Sequence, residues 1–260
     1  MNFKCKITTK CLLSNAVEVV TKALKDYPRG MEWFMSSQFG HLFSAPKHLD
    51  ICLAPLWMLQ CRAVKTKKNF EMWFVVNGIP IRYSLMEHAL ISGLNCAAYP
   101  ADYKDIGSQR FKNRNFPKGK KISLRSIRET LEKMSNPHEE DLGSSKRQGG
   151  NTSERERQSS TRKKDKLKMA VLYFLCSVLI THEKDDTQIA DGLVQIVDDL
   201  DRCRTFPWGR RLYHYLLIHF QKLNLAEKSE NAFEKKKTTW ACPGFILPLM
   251  VSLFCLNIKF

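Results

Sequence analysis

Hydrophobic and polar positions alternate in a way that changes character several times along the chain. Over 14–27, Val17, Val20, Leu24 and Tyr27 share one helical face, and Ser14 reads as the N-cap. Residues 48–63 are apolar and read as helix, interrupted at Pro55. The pattern then turns strand-like. An apolar strand ends at Asn77-Gly78, the dipeptide that best supports a type I′ hairpin turn, and Ile79–Tyr83 forms the return strand. Pro80 cannot donate to a ladder, so that strand is expected at a sheet edge. Ser84 and Glu87 then spell a capping box, and Gly93 supplies the helix stop.

Helical periodicity returns further on. Leu124, Ile127, Leu131 and Met134 mark an amphipathic helix over 123–134. Leu167–Ile180 is apolar all round and too short to cross a bilayer, so it reads as a buried core helix. Leu193, Ile196, Val197 and Leu200 define another helix, stopped at Pro207; Leu212, Tyr213, Leu216, Leu217 and Phe220 define a third. Between the two helical blocks, 143–166 offers nothing hydrophobic to bury. Its composition predicts a disordered basic insertion, counted here over 142–166. The expected fold is mainly α, a helical domain with a small β-hairpin and that long disordered insertion.

The segment Met-Trp-Phe-Val-Val-Asn-Gly-x-Pro-Ile-Arg-Tyr-Ser-Leu-x-Glu, followed by Leu-Ile-Ser-Gly-Leu-Asn-Cys and Tyr99-Pro100, resembles the plant domain of unknown function DUF1985. Phe34–His41, Leu172–Leu179, Leu193–Asp201 and Phe206–Arg210 extend the resemblance, in order, over roughly 30–220. The downstream half is also similar to the plant mobile domain of transposon origin. This organisation makes 1–29 an N-terminal helical extension and 30–220 the domain. Residues 221–260 form a polar linker and a truncated or degenerate apolar segment. There Pro243-Gly244-Phe245 fits the family pattern, but the expected Gln-x-Trp does not follow. The resemblance implies mobile-element ancestry, and in that family the domain often lies upstream of a Ulp-type cysteine peptidase. It supplies no catalytic residues here.

Charge adds one strong constraint. A formal net charge of +16 on 260 residues favours anionic partners, nucleic acid or an acidic protein. The cations concentrate in Arg110–Arg128 and Arg162–Lys168, and the first tract interleaves Phe111 and Phe116. Lys118, Lys120, Lys121, Arg162, Lys163 and Lys164 are the candidate phosphate contacts, with exposed aromatics as a base-stacking surface.

Other chemistry finds little support. Nine cysteines, odd in number, irregularly spaced and without C-x-x-C, argue for a reducing compartment, nuclear or cytosolic. His88 with Cys96, and Cys176 with His182, supply residue types for a thiol nucleophile but no recognisable triad. Cys203, His214 and His219 lack paired zinc spacing. Asp198, Asp199 and Asp201 would sit badly at a helix C-terminus, and pairing with Arg202, Arg204, Arg210 or Arg211 is the expected resolution. No phosphate-binding glycine motif occurs. No cofactor, metal or small-molecule substrate is expected, and no membrane partner. Trp208, between Pro207 and Gly209, is expected as a core anchor; Asn77, Gly78, Ser84 and Glu87 complete the structural set. The sequence thus favours a non-enzymatic interaction module. Its alternatives are an accessory fragment of a Ulp-type peptidase gene, or a tail-anchored protein using Lys235–Lys237 before the apolar terminus.

Overall fold

A computed structural model describes residues 4–9, 13–45, 63–64, 70–76, 78–135, 152–181, 184–222, 237–242 and 248. The fold is mainly helical. Helices α1 (Leu13–Ala23), α2 (Pro28–Met35) and α3 (Gly40–Phe43) open it. Strands β3 (Met72–Val76) and β4 (Ile79–Tyr83) form an antiparallel hairpin, with β2 (Ala63–Val64) on the other side of β3. Then come α4 (Leu85–Ser92), α5 (Arg110–Asn115), α6 (Leu124–Ser135) and α7 (Thr152–Phe174). A buried π-turn over Leu175–Leu179 extends α7. Helices α8 (Asp191–Asp198), α9 (Leu200–Thr205) and α10 (Trp208–Lys222) follow. Strand β1 (Lys4–Thr9) pairs in parallel with β5 (Lys237–Cys242).

The hairpin forms as its local code directs. Val76 pairs with Ile79 and Gly78 between them has φ +78°; Asn77 lies outside the described residues. A positive φ is cheap only for glycine. Strand β4 lies at the sheet edge, which suits Pro80. At the start of α4 the Ser84 N–H donates to Glu87 Oε2 (2.7 Å) and the Met86 N–H donates to Ser84 Oγ (3.2 Å). Gly93 closes the helix at φ +65°.

The core is built around the buried end of α7. Phe174 meets Phe34, Phe39 and Phe43 at centroid distances of 5.7, 5.5 and 5.4 Å. Helices α1, α6 and α8 pack against α7, and α10 packs against α4. Trp208 is fully buried, and its indole N–H donates to the Cys203 carbonyl at 2.8 Å. Burial of so large a side chain, with its one polar atom satisfied, makes it an anchor.

Three expectations change. The stretch 152–166 is not disordered; it is the first half of α7. Its residues lack apolar surface, but its Glu, Arg, Gln and Lys residues are good helix formers, and the helix propagates outward from the buried 167–174 end without a new nucleus. Residues 142–151 lie outside the described residues. Ser14 is not an N-cap, because α1 starts at Leu13, whose side chain packs on the core and brings the helix start forward. The helix through Leu193 and Leu200 is broken at Asp199 (φ −105°, ψ 94°) into α8 and α9. The apolar helix expected over 48–63 lies outside the described residues apart from Ala63, which is in β2. The apolar C-terminal segment beyond Cys242 is likewise outside, Pro248 apart.

Candidate nucleic-acid interface

The basic tracts converge on α5. This short helix is clamped from both sides by its own charged residues. On one side Arg114 makes a two-pronged contact with Asp165 of α7, Nε to Oδ2 at 2.8 Å and Nη2 to Oδ1 at 2.7 Å. Asn115 donates to the same carboxylate at 3.1 Å. Asp165 is buried, and three donated hydrogen bonds offset the cost of hiding its charge. On the other side Lys112 reaches Asp191 of α8 at 2.9 Å. Below, Phe111 is buried, meets Phe116 edge-to-face at 6.3 Å and lies under Lys168 Nζ at 5.9 Å.

A polar cleft opens on each side of this helix. The larger, about 930 Å³, lies between α5, α6 and α7. Four cations, Arg114, Lys133, Arg157 and Arg162, line it against two carboxylates, Glu154 and Asp165. The smaller, about 400 Å³, is lined by Lys112, Lys118, Lys120 and Lys121, with Asp191 its one carboxylate. Lys118 and Lys120 sit on, and Lys121 directly after, a reverse turn closed by the Lys120 N–H to the Pro117 carbonyl (3.2 Å), with Gly119 at φ +76°. The buried Ile122 anchors the end of that turn, its carbonyl accepting from the Ile189 N–H at 2.9 Å. Lys118, Lys120 and Lys121 are exposed, and none of them makes an ion pair among the described residues. The arrangement leaves Lys118, Lys120 and Lys121 in one cleft without ion pairs among the described residues and sets four cations against two carboxylates in the other, an excess that suits a polyanionic backbone.

The structure therefore brings Lys118, Lys120 and Lys121 into one cleft and Arg162 into the other. Lys163 and Lys164 are exposed on α7, at its outer side. Lys168, at the end of the second tract, is instead held by Asp198 at 2.6 Å with little exposure. The expected stacking surface is absent, because Phe111 and Phe116 are both core residues. Sequence reasoning missed Lys133 and Arg157. Both belong to helices whose cleft-facing positions follow the i, i+3, i+4 spacing, a signal hidden in α7 by reading it as disordered.

The acidic cluster is partitioned by the break at Asp199. Burial disfavours the Asp198 charge, but hydrogen bonds from Lys168 and Ser108 outweigh it and hold the carboxyl below its usual value. Asp199 caps α9, accepting from the Arg202 N–H at 3.0 Å. Asp201 is exposed in the first turn of α9, where the dipole favours it. The expected arginine pairing does not occur: Arg202 binds Asp102 (2.7 Å), Arg204 the Ser36 carbonyl, Arg210 the Cys96 and Ala97 carbonyls. Arg211 lies 5.9 Å from the centres of the Phe206 and Trp208 rings. The break at Asp199 turns a helix end into a helix start and removes the misfit.

The remaining residue sets are placed as follows. Burial lowers His88 to about 4, and its Nδ1 is 2.8 Å from the Tyr83 hydroxyl. Burial pushes the Cys96 thiol up to about 11 and Cys176 to about 12, the opposite of a nucleophile's shift. His182 lies outside the described residues. No three His, Cys, Asp or Glu side chains gather into a metal-binding group among the described residues. No described helix is long and apolar enough to cross a membrane.

The motif segments quoted above meet one another inside the fold. The Gln38 amide donates to the Arg204 and Phe206 carbonyls (3.0 and 2.9 Å), and its oxygen accepts from the Asn95 N–H (3.0 Å). Gly209 N–H donates to the Asn95 carbonyl at 2.9 Å, and a Cβ on Gly209 would meet Cys96 Sγ at 2.5 Å. These residues tie distant segments of the chain together. The family described as domain of unknown function (DUF1985) matches residues 60–143 and 150–219. No curated protein and no solved structure matches the chain.

Proposed function

On the premise that the chain belongs to the DUF1985 family, we propose that it is a non-enzymatic module that binds nucleic acid through the basic face around α5. The observation that carries the reading is the pair of cation-lined clefts on either side of one clamped helix. Lysines and arginines placed this way neutralise phosphates and release their condensed counterions. Ancestry in mobile elements, suggested by the family resemblance, fits a nuclear module that works on nucleic acid. The overall charge of +16 would draw such a partner in over a Debye length of about 8–10 Å at ordinary salt.

An acidic protein would answer the same charge, and one experiment separates the two. The protein is titrated into labelled nucleic acid at two salt concentrations, with polyglutamate as competitor. The proposal expects retardation that weakens steeply with salt and resists polyglutamate at equal charge. Equal displacement by polyglutamate would make an acidic protein the better partner, and no retardation at low salt would end the proposal.

A further inference from the structure

The first half of α7 differs from the other described helices. Residues 154–164 are exposed on all sides, for about 16 Å of helix at 1.5 Å per residue. Its partner α6 lines the opposite side of the cleft with Thr130, Lys133 and Met134, and the anchor is the buried stretch from Leu167 onward. The side chains facing away from the cleft include Arg155, Ser159, Ser160, Lys163 and Lys164, with Glu156 the one carboxylate among them. The residues facing the cleft include Arg157 and Arg162.

Resting on the proposed function, we infer that this projecting half of α7 enters the major groove of double-stranded DNA. Shape comes first. An α-helix with its side chains is about 10–12 Å across, and the major groove of B-form DNA is about 12 Å wide. The outer face of the helix, opposite the cleft, is exposed and can seat in the groove, where its cations reach phosphates on either strand. The clefts beside α5 then hold the flanking backbone. Chemistry argues against a single strand. The one aromatic ring lining either cleft, Phe116, is 7% exposed, so unstacked bases would find no platform. Geometry argues against duplex RNA, whose major groove is too deep and narrow for side chains to read.

The test is fluorescence anisotropy on the whole chain with three labelled probes: a DNA duplex, one of its strands alone, and an RNA duplex of the same sequence. The parent protein is expected to hold the DNA duplex at least about tenfold more tightly than either other probe. Ser159→Pro keeps every charge but breaks the exposed helix, and it is expected to lose that preference. Circular dichroism and a melting curve check that the core survives. Should Ser159→Pro fail to fold, Lys163→Glu/Lys164→Glu carries the same test from exposed positions. A parent that prefers the single strand or the RNA duplex overturns the inference and leaves the proposed function standing. So does a folded Ser159→Pro, or in its place Lys163→Glu/Lys164→Glu, that discriminates as the parent does. Failure to bind any probe removes both.

Discussion

Two glycines with the same backbone angle give a matched test of the packing. Gly78 and Gly107 both have φ +78°. At Gly78 an added Cβ would find open space. At Gly107 it would collide with the Gln195 carbonyl of α8, a backbone atom that cannot swing aside. Gly78→Ala therefore incurs conformational strain alone, about 1–2 kcal/mol for a left-handed alanine. Gly107→Ala incurs the same strain plus overpacking of about 1–3 kcal/mol. The total is roughly 2–5 kcal/mol, larger than the effect at Gly78 by the overpacking alone. The collision also has a functional side, because the next residue, Ser108, bonds Asp198 and leads into α5. Urea midpoints at fixed slope read both variants, and titration into nucleic acid reads the displacement of α5. Equal destabilisation of the two would refute the packing of the 101–109 loop on α8.

Three further outcomes follow from particular contacts. Trp208→Ala is expected to cost about 3–5 kcal/mol in chemical denaturation, since the ring is fully buried; a loss under about 1 kcal/mol would contradict its anchoring role. Asp165→Asn is expected to cost about 1–2 kcal/mol, a buried pair discounted for the exposed Arg114 side, and to tighten nucleic-acid binding by removing a carboxylate from the larger cleft. Unchanged or weaker binding would argue that Arg114 does not face the partner. His88, lowered by burial to about 4, binds its proton less readily folded than unfolded. Stability contributed by neutral His88 is therefore full above the unfolded value and falls by up to about 3 kcal/mol as pH drops from about 6.5 to 4. His88→Phe should flatten that slope in denaturation curves taken across this range, and an unchanged slope would show that other groups carry it.

The sequence made local devices legible and long-range ones obscure. The Gly78 turn and the Ser84/Glu87 box act over a few residues, so their outcome does not wait on the rest of the chain. The first half of α7 was hidden for the opposite reason. Its composition lacks anything to bury, and its helicity comes from continuity with the core end 167–174, not from its own contacts. The acidic cluster misled because one dihedral break at Asp199 reverses the sense of the helix end. Within the candidate site, the cationic tracts were plain in the sequence. The clamp that shapes them was not, because Arg114 and Asp165 are 51 positions apart and nothing in either tract names the partner. The burial of Phe111 and Phe116 removed the stacking surface for a related reason: interleaving with lysines says nothing about which way a ring points.

The most direct test of the basic face is its salt dependence. Lys118, Lys120, Lys121, Arg162, Lys163 and Lys164 are replaced together by glutamine, all of them exposed and outside the core. Affinity for a DNA duplex is then measured across a salt series for parent and variant. Each phosphate contact contributes about 0.9 to the slope of log affinity against log salt, so the variant's slope should be shallower by roughly 3–5 with its melting temperature unchanged. Identical slopes in parent and variant would contradict the assignment of this face to nucleic acid.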